Sequence, residues 1–451
     1  MTHISQLTEF GLFDARVPRY TSYPTAPHFG ADVTAHDFAT WLRAIKPGSE
    51  ISLYLHVPFC RRLCWFCACR TQGTTSQAPV EAYAQTLLAE IRMLQEALPQ
   101  GVSLSRLHWG GGTPTLMPPK MMKAIAQAIF AVTPLAQGGE FSVEIDPNEI
   151  DKARLDMLAS LGMNRASIGV QDFDPEVQAA IGRSQPFYLT RQVAEMIRDV
   201  GVSALNVDIL FGLPHQTQLR MAESVMQLIA LAPSRVALYG YAHVPWMSRR
   251  QQMIPSDAMP TPQERLRLFD MAASQLMAAA FLPIGIDHFA KASDGLARAA
   301  ATGQLHRNFQ GYTDDSAQVL IGLGASSISR FPQGYAQNAA RTADYAKSIA
   351  QHRFATHRGH RFSASDLLRG AMIEQLMCEF RIDRDRIAQR LGYRPAAMDA
   401  LLLQTHQAFE SVTTLDGDGL KIAANAAPLT RLIARSLDAY DMSKAQHSAA
   451  I

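Results

Sequence analysis

Residues 51–70 read ISLYLHVPFCRRLCWFCACR, a β-rich apolar run that passes directly into four closely spaced cysteines. The apolar run predicts a buried first strand, and the cysteines lie on the loop that follows it. Gaps of three, two and one residues separate Cys60, Cys64, Cys67 and Cys69. Such gaps are too tight for a secreted disulfide framework in a chain of 451 residues. The loop is therefore interpreted as a metal-binding site.

Short apolar runs alternate with amphipathic helical patterns from residue 51 onward. Six consecutive strand–helix units favour a parallel sheet with right-handed crossovers. Residues 281–290 could supply a seventh strand, but no clear strand–helix pair follows them. We therefore expect an α/β fold, an incomplete parallel (βα)6 barrel. The six predicted strands are 51–59, 104–112, 140–147, 165–173, 203–212 and 235–244.

The C-terminal part has a different pattern. Helical patterns at 364–379, 384–391 and 397–409 precede a hairpin signal at 411–423 and a final helix near 427–440. These elements predict a small, mainly helical, winged-helix-like domain. We divide the chain into an N-terminal segment (1–47), the barrel (48–290), an extension that contributes to the substrate site (291–361) and the C-terminal helical domain (362–451).

The composition excludes several classes of protein. The chain has 42 basic and 40 acidic residues, and no basic recognition helix, so we expect no nucleic-acid partner. Hydrophobic residues make up 47%, which allows a large core. There is no apolar run of membrane-spanning length, and the N-terminus does not resemble a signal peptide. We expect a cytoplasmic monomer without a membrane span.

The cysteine loop itself allows more than one metal site. Cys60, Cys64 and Cys67 can each ligate one corner of a [4Fe–4S] cluster, which leaves the fourth iron open. The alternatives are a zinc knuckle with Cys69 as fourth ligand, or a redox dithiol. We favour the cluster because no second C-x-x-C pair occurs. Cys378 lies in an apolar helical run and is expected to be buried; the roles of Cys69 and Cys378 stay open.

Polar residues and glycines occur where the predicted strands end. Because binding residues of βα barrels gather at the carboxyl ends of the strands, these positions are candidate ligand contacts, although each could be an ordinary satisfied polar group. His56, in the first strand, is either a core histidine or a residue that exchanges a proton near the active centre. The strand-end candidates are Gly110–Thr115, Glu144, Asp146, Gln171, Asp172, Asp208 and Tyr241–His243.

The loop C-x3-C-x-aromatic-C, with Phe66 as the aromatic, resembles that of the radical S-adenosylmethionine (SAM) enzymes. The resemblance implies that the open iron chelates the amino and carboxylate groups of SAM. One electron then cleaves SAM to methionine and a 5′-deoxyadenosyl radical.

Longer motifs resemble one family within that superfamily, the oxygen-independent coproporphyrinogen III oxidases. The resemblance implies decarboxylation of two propionates of coproporphyrinogen III to vinyl groups, with two SAM molecules and no oxygen. A related haem-binding chaperone is the alternative, but such relatives lack the PRYTSYPTA and HRNFQGYT segments. The motifs are PRYTSYPTA (18–26), SLYLHVPFCRRLCWFCAC (52–69), LHWGGGTPT (107–115), IDPNE (145–149), GVQDF (169–173), DILFGLPHQT (208–217), DHFA (287–290), HRNFQGYT (306–313) and YAQN (335–338).

The same resemblance implies roles for individual residues. The implied cluster ligands are Cys60, Cys64 and Cys67. The implied contacts to cluster-bound SAM are Tyr54, Gly111, Glu144 and Ile328, and those to a second SAM are Phe66, Gly112, Thr113, Gln171, Arg183, Asp208 and Ala242.

Further candidates concern catalysis and the partners. His56 and Tyr54 are the candidate catalytic residues. Arg19, Arg307 and Asn308 are candidates for binding substrate carboxylates, the alternative for the arginines being surface salt bridges. The electron donor is expected to be an unidentified reductase or a flavodoxin-like protein.

Overall fold

The computed structural model describes residues 3–441 and 449–451. A twelve-stranded sheet forms its centre, and the six predicted strands lie in it side by side in chain order. All five pairings among them are parallel, as the sequence pattern predicts. The strands are β1 (Glu50–Val57), β2 (Ser103–Gly111), β3 (Leu135–Ile145), β4 (Arg165–Gln171), β5 (Ala204–Phe211) and β6 (Arg235–Gly240).

A helix follows each of these strands and buries one apolar face. Buried side chains recur at helical spacing along the first helix, for example Val80, Ala84, Leu87 and Ile91. A capping box between Thr261 and Glu264 fixes the start of the sixth. The helices are α1 (Ala78–Ala97), α2 (Pro119–Val132), α3 (Lys152–Ser160), α4 (Phe187–Asp199, after a short helix Pro175–Ala180), α5 (Gln218–Ala230) and α6 (Pro262–Ala278).

Six further strands extend the sheet on both sides. They are β7 (Leu282–Ile284), β8 (His288–Ala290), β9 (Leu320–Leu323), β10 (Ile328–Phe331), β11 (Gly334–Asn338) and β12 (Thr356–Arg361). The order is β12-β11-β10-β9-β1-β2-β3-β4-β5-β6-β8-β7, so β12 and β7 are edges and the barrel stays open. The incomplete barrel is thus confirmed.

The possible seventh parallel strand at 281–290 is wrong. This segment forms two short strands, β7 and β8, which pair antiparallel with each other, and β8 pairs antiparallel with β6. Only residues 285–287 separate β7 from β8, too few for the crossover that a parallel pair requires. The strand that extends the parallel set is β9, which pairs with β1.

The C-terminal part has its own core. Its helices are Ala364–Glu379, Arg384–Leu391, Ala397–Ala408 and Thr430–Ser436, and its sheet comprises Arg381–Asp383, Thr413–Leu415 and the central Gly419–Ile422, which confirms the predicted hairpin. Leu7, Leu12 and Phe13 from the chain start pack into this core, whereas the helix Ala35–Arg43 packs on the barrel. The residue boundaries of the four-part division stay a prediction.

The remaining described α-helices are His3–Glu9, Gly295–Ala301 and Thr342–Ala350. No helix among the described residues is long and apolar enough to cross a membrane.

Glu90 on α1 joins the added strands to the barrel. Its buried carboxylate accepts hydrogen bonds from the Gly324 amide (2.8 Å), the Tyr345 hydroxyl (2.8 Å) and the Asn338 side-chain amide (3.0 Å). Burial raises the pKa of this carboxyl to about 7. The folded protein therefore holds the proton more tightly than the unfolded chain does.

We expect Glu90→Gln to change how stability depends on pH. Because the folded pKa is raised, the contribution of Glu90 is greatest below its ordinary pKa of 4.5 and falls as the pH rises to about 7. Relative to the wild type, the variant should become more stable from pH 5 to pH 8, by a few kcal/mol at most. Urea unfolding across this range measures the difference. Exposed Glu81→Gln on the same helix is the control, and parallel curves for wild type and Glu90→Gln would contradict the assignment.

Candidate active site

The cysteine loop begins at the carboxyl end of β1, and its two ends are hydrogen-bonded to each other. Phe59–Cys60 pairs with Gln72–Gly73, and the Thr74 amide donates to the Cys60 carbonyl at 3.0 Å. Within the loop, the Cys67 amide donates to the Cys64 carbonyl at 3.3 Å. The loop therefore begins and ends at one place, and it presents Cys60, Cys64 and Cys67 at the end of the barrel where ligand contacts were predicted.

The surroundings of the three thiols fit a thiolate-bound iron–sulfur cluster. The Arg183 guanidinium donates to Cys64 Sγ at 3.3 Å, and the Thr113 side chain lies beside Cys60, where it favours the thiolate. Both contacts suit sulfur atoms that carry negative charge. Among residues 3–441 and 449–451, no three His, Cys, Asp or Glu side chains converge on a single ion. A cubane does not need such convergence, because each thiolate ligates a different iron.

Cys69 and Cys378 lie in different environments. Cys69 is exposed on the same loop, and its thiol lies beside that of Cys67. Cys378 is buried in the helix Ala364–Glu379, as the sequence predicts.

The glycine run at the carboxyl end of β2 packs directly against the cysteine loop. The Gly112 amide donates to the Val57 carbonyl (2.8 Å), and the Thr113 amide donates to the Phe59 carbonyl (2.7 Å). A Cβ at Gly112 would lie 2.5 Å from that same Phe59 oxygen. The glycines therefore allow two strand ends to approach each other, in addition to the ligand contacts that the resemblance implies.

Gly111→Ala should destabilise the protein more than Gly138→Ala, a substitution at a glycine outside this run. Gly111 has a φ of +106°, and an added Cβ would lie 2.4 Å from the His56 ring. Gly138 has a φ of +77° but nothing within 4 Å of its Cβ position, so Gly138→Ala introduces backbone strain alone. We expect a loss of unfolding free energy of about 1–2 kcal/mol for Gly138→Ala and clearly more for Gly111→Ala. Denaturant unfolding of both variants checks this, and equal losses would contradict the contact with His56.

His56 and Tyr54 form a hydrogen-bonded pair on β1. The buried His56 ring lies 3.1 Å (Nε2) from the Arg70 carbonyl and 2.9 Å (Nδ1) from the Tyr54 hydroxyl. A carbonyl only accepts, so Nε2 carries the proton and Nδ1 accepts from Tyr54. Burial lowers the pKa of His56, which keeps the ring neutral. His56 therefore orients Tyr54 and holds the cysteine loop through Arg70.

Glu144, on β3, contacts both β2 and the barrel interior. Its carboxylate accepts from the Gly111 amide at 3.0 Å and lies 3.3 Å from His108 Nε2. The His108 ring stacks on Tyr54, with centroids 5.8 Å apart. Three residues assigned to cluster-bound SAM, namely Tyr54, Gly111 and Glu144, therefore lie together.

Ile328 reaches the same region through long-range strand pairing. Gly322 on β9 pairs with Tyr54, and a Cβ at Gly322 would lie 2.7 Å from the Ile328 carbonyl. Ile328 has no distinctive local pattern, so the sequence could suggest it only through the family resemblance.

Arg183 connects the end of β4 to the cysteine loop. Besides Cys64, its guanidinium donates to the Gly169 carbonyl (2.8 Å) and to Gln185 Oε1 (2.7 Å). Gln171, at the end of the same strand, has a φ of +72°, which is uncommon for a residue with a side chain. No local signal marks Arg183, because Cys64 and Gly169, two of its partners, come from other segments of the chain.

Gln251 is a residue that the sequence interpretation missed. Its buried side-chain amide donates to the Phe66 carbonyl (2.8 Å) and to the Ala242 carbonyl (3.0 Å). It therefore ties the cysteine loop to the chain after β6. Phe66 itself packs in a small apolar cluster with Val177, Ile181 and other residues.

Asp208 and Asp172 differ in environment although both follow the predicted pattern. Asp208, on β5, accepts from Asn206 (2.9 Å), and burial raises its pKa to about 7. Asp172 is fully buried and accepts from Gln216 (2.6 Å) and Ser224 (2.7 Å). Asp172 is thus an ordinary satisfied polar group, and its selection as a candidate ligand contact is corrected.

A polar cavity of about 130 Å³ lies inside the barrel. Glu144, Asp208 and Asn308 all line it, together with His108 and Tyr239. One candidate substrate residue, Asn308, therefore lines the same cavity as two candidate SAM residues.

Arg307 is buried, so a surface salt bridge is the wrong interpretation of this arginine. Its side chain is 3% exposed and lies 3.5 Å from Asp287, with the guanidinium 4.4 Å above the Tyr312 ring. Its Nε and Nη1 groups have no hydrogen-bond partner. A buried guanidinium with two unpaired donors suits an anionic ligand.

Arg19 lies close to Arg307 and shares its counter-ion. It donates to the Gly240 carbonyl at 2.6 Å. Burial by itself raises the pKa of Asp287. The neighbouring Arg307, His288 and Arg19 outweigh this effect and hold that pKa well below its ordinary value. Arg19 and Arg307 also line a largely apolar cavity of about 540 Å³, with Phe211, Phe269 and Phe289 among its walls.

Comparison with known proteins agrees with this geometry. Residues 54–228 match the family model of the radical SAM superfamily. The chain is 60% identical to the oxygen-independent coproporphyrinogen III oxidase of Paracoccus denitrificans, over 100% of both chains. It is 56% identical to the enzyme of that name from Cereibacter sphaeroides, over 98% of both.

A solved structure extends the likeness to three dimensions. Coproporphyrinogen III oxidase from Escherichia coli, described as a radical SAM enzyme, superposes with a TM-score of 0.88 at 33% identity. The superposition covers 95% of this chain and 100% of that one.

Proposed function

The chain belongs to the oxygen-independent coproporphyrinogen III oxidase family of radical SAM enzymes, and we propose that it decarboxylates two propionates of coproporphyrinogen III to vinyl groups. The product is protoporphyrinogen IX, an intermediate of haem biosynthesis. One structural observation carries the proposal: the loop with Cys60, Cys64 and Cys67 follows the carboxyl end of β1, and Glu144, which accepts from the Gly111 amide beside this loop, also lines the cavity inside the barrel.

The enzyme is an oxidoreductase that uses a [4Fe–4S] cluster and SAM. When bound, these two groups supply the organic radical that removes a hydrogen atom from the substrate. Each propionate loses that hydrogen atom, CO₂ and one electron, which an electron acceptor from outside the chain takes up, and a vinyl group remains. The residues of this chain bind and orient SAM and the substrate, and they exclude water from the site.

The SAM-binding residues divide into two proposed groups. Tyr54, Gly111, Glu144 and Ile328 surround the cluster-proximal position, where the Glu144 carboxylate suits a cationic amine. His56 acts on this group by orienting Tyr54. Arg183 contacts Cys64 in the cysteine loop, and Gln251 joins Phe66 of this loop to Ala242. A second SAM is proposed at Phe66, Gly112, Thr113, Gln171, Arg183, Asp208 and Ala242.

The substrate carries four carboxylates on an apolar macrocycle. Arg307 offers two unpaired donors; Arg19 lines the same largely apolar cavity as Arg307, and Asn308 lines the polar cavity inside the barrel. We assign these three residues to carboxylate binding. The apolar walls of the cavity that Arg19 and Arg307 line suit the macrocycle.

The enzyme requires an electron from a separate reductase or flavodoxin-like protein. We also propose that it works as a monomer in the cytoplasm.

An anaerobic assay tests the proposed function. Reconstituted protein, SAM, dithionite and coproporphyrinogen III should yield protoporphyrinogen IX, with methionine and 5′-deoxyadenosine as co-products, by chromatography. Omission of SAM is the control. Stable one-to-one haem binding with an intact cluster and no turnover would instead support the chaperone alternative.

A further inference from the structure

Positive charge is concentrated around the cysteine loop. Residues 60–77 and 241–256 contain five arginines and neither Asp nor Glu, whereas the whole chain has 42 basic and 40 acidic residues. The five arginines are Arg61, Arg62, Arg70, Arg249 and Arg250. Such a local excess attracts an acidic partner and steers its approach.

The second of these segments is fastened to the cysteine loop. Arg250 donates to the Thr71 hydroxyl at 2.8 Å, and Gln251 donates to the Phe66 carbonyl at 2.8 Å. A protein that docks on residues 246–253 therefore lies beside the loop that holds the cluster ligands.

The same segment exposes large apolar side chains. Trp246, Met247 and Met253 are 45%, 65% and 60% exposed. The Arg16 guanidinium lies 4.7 Å above the Trp246 ring. Trp, Met and Arg are the residue types enriched at protein–protein interfaces, and here they occur together.

Nearby acids neutralise only part of this charge. Arg61 lies 3.9 Å from Glu149, and exposed Asp257 follows the second segment. Arg62, Arg70 and Arg249 are exposed and have no ion pair among the described residues. The positive field of the surface therefore depends mainly on these three arginines and on Arg16.

We propose that the surface formed by Arg16, Trp246, Met247, Arg249 and Met253 docks an acidic one-electron carrier protein. This inference rests on the proposed function, because radical chemistry requires an electron from outside the chain. One electron passes from the reduced carrier to the cluster, and the carrier is oxidised by one electron. The arginines provide charge complementarity, and the apolar residues provide the desolvated centre of the contact.

Binding of purified flavodoxin, an acidic carrier, and electron transfer from flavodoxin to the cluster test the proposal. Calorimetry measures the affinity of oxidised flavodoxin for the reconstituted enzyme, and stopped-flow absorbance measures cluster reduction by reduced flavodoxin. We expect Arg249→Glu and Trp246→Ala each to lower affinity and reduction rate about tenfold at low salt. The wild-type rate should fall as salt is added.

Matched controls separate docking from damage to the enzyme. Arg191→Glu and Met226→Ala change exposed residues on the outer helices α4 and α5 and should behave like the wild type. Reduction by dithionite should be equal in all variants.

Three results would overturn the proposal: unchanged flavodoxin affinity and rate in both variants, a wild-type rate insensitive to salt, or a wild-type dimer that Trp246→Ala dissociates. The last would assign the surface to a second copy of the chain. Failure of the proposed function is distinguishable, since it would appear as absence of product in the dithionite-driven assay with wild type.

Discussion

Cys64→Ala should lose the iron–sulfur cluster and all turnover. Cys64 carries one of three thiols on the cysteine loop, and backbone hydrogen bonds within the loop hold it closed. The Arg183 guanidinium donates to Cys64 Sγ at 3.3 Å. Two remaining thiolates cannot hold a cubane that requires three protein ligands. Iron and sulfide analysis after anaerobic reconstitution, together with product chromatography, measures both effects. We expect a loss of more than a thousandfold in turnover.

Two cysteine variants serve as controls for this result. Cys69→Ala removes a thiol from the same loop, and Cys378→Ala removes a buried thiol far along the chain. Both should retain iron close to the wild-type level. Retention of a full cluster by Cys64→Ala, or its loss in Cys69→Ala alone, would show that the ligand set is wrong.

Arg307→Met should weaken substrate binding while it leaves the cluster intact. The Arg307 guanidinium is buried with two unpaired donors, and a charge-assisted hydrogen bond contributes about 1.5–3 kcal/mol. Loss of one such interaction raises KM for coproporphyrinogen III by about 10- to 100-fold. Steady-state kinetics at varied substrate, with SAM saturating, measures this change.

The choice of variants separates binding from folding. Arg307→Lys keeps the charge but not the planar fork, so its KM should lie between those of the wild type and Arg307→Met. Arg381→Met, at a half-exposed arginine, is the control. An unchanged KM in Arg307→Met, or a loss of cluster and SAM binding together with activity, would remove Arg307 from the substrate site.

The sequence by itself determined the local features of this protein. The six parallel strands and the cysteine loop after β1 agree with the structure because apolar alternation and cysteine spacing are local properties of the chain. Glu144 could be singled out for a related reason. In a parallel βα fold, the carboxyl ends of the strands meet at one end of the sheet, so position along the chain indicates position in space.

Only the tertiary structure decided which polar groups face the site. Asp172 and Asp208 look alike in the sequence, yet Gln216 and Ser224 satisfy the first, while the second lines the cavity. Arg307 could not be distinguished from a surface arginine, because its burial depends on Tyr312 and Asp287. Whether a polar side chain is buried and hydrogen-bonded depends on residues that come from other segments of the chain.

Contacts between distant segments of the chain decided the other features that the sequence did not predict. The extension of the sheet by β9, the position of Ile328 and the bridge made by Gln251 all depend on contacts between distant segments, such as β9 with β1 and Gln251 with Phe66. No period or spacing near those residues predicts such contacts, since their energy is realised only when the chain is folded. The sequence therefore determined where the radical chemistry starts, and the folded structure decided which side chains surround it.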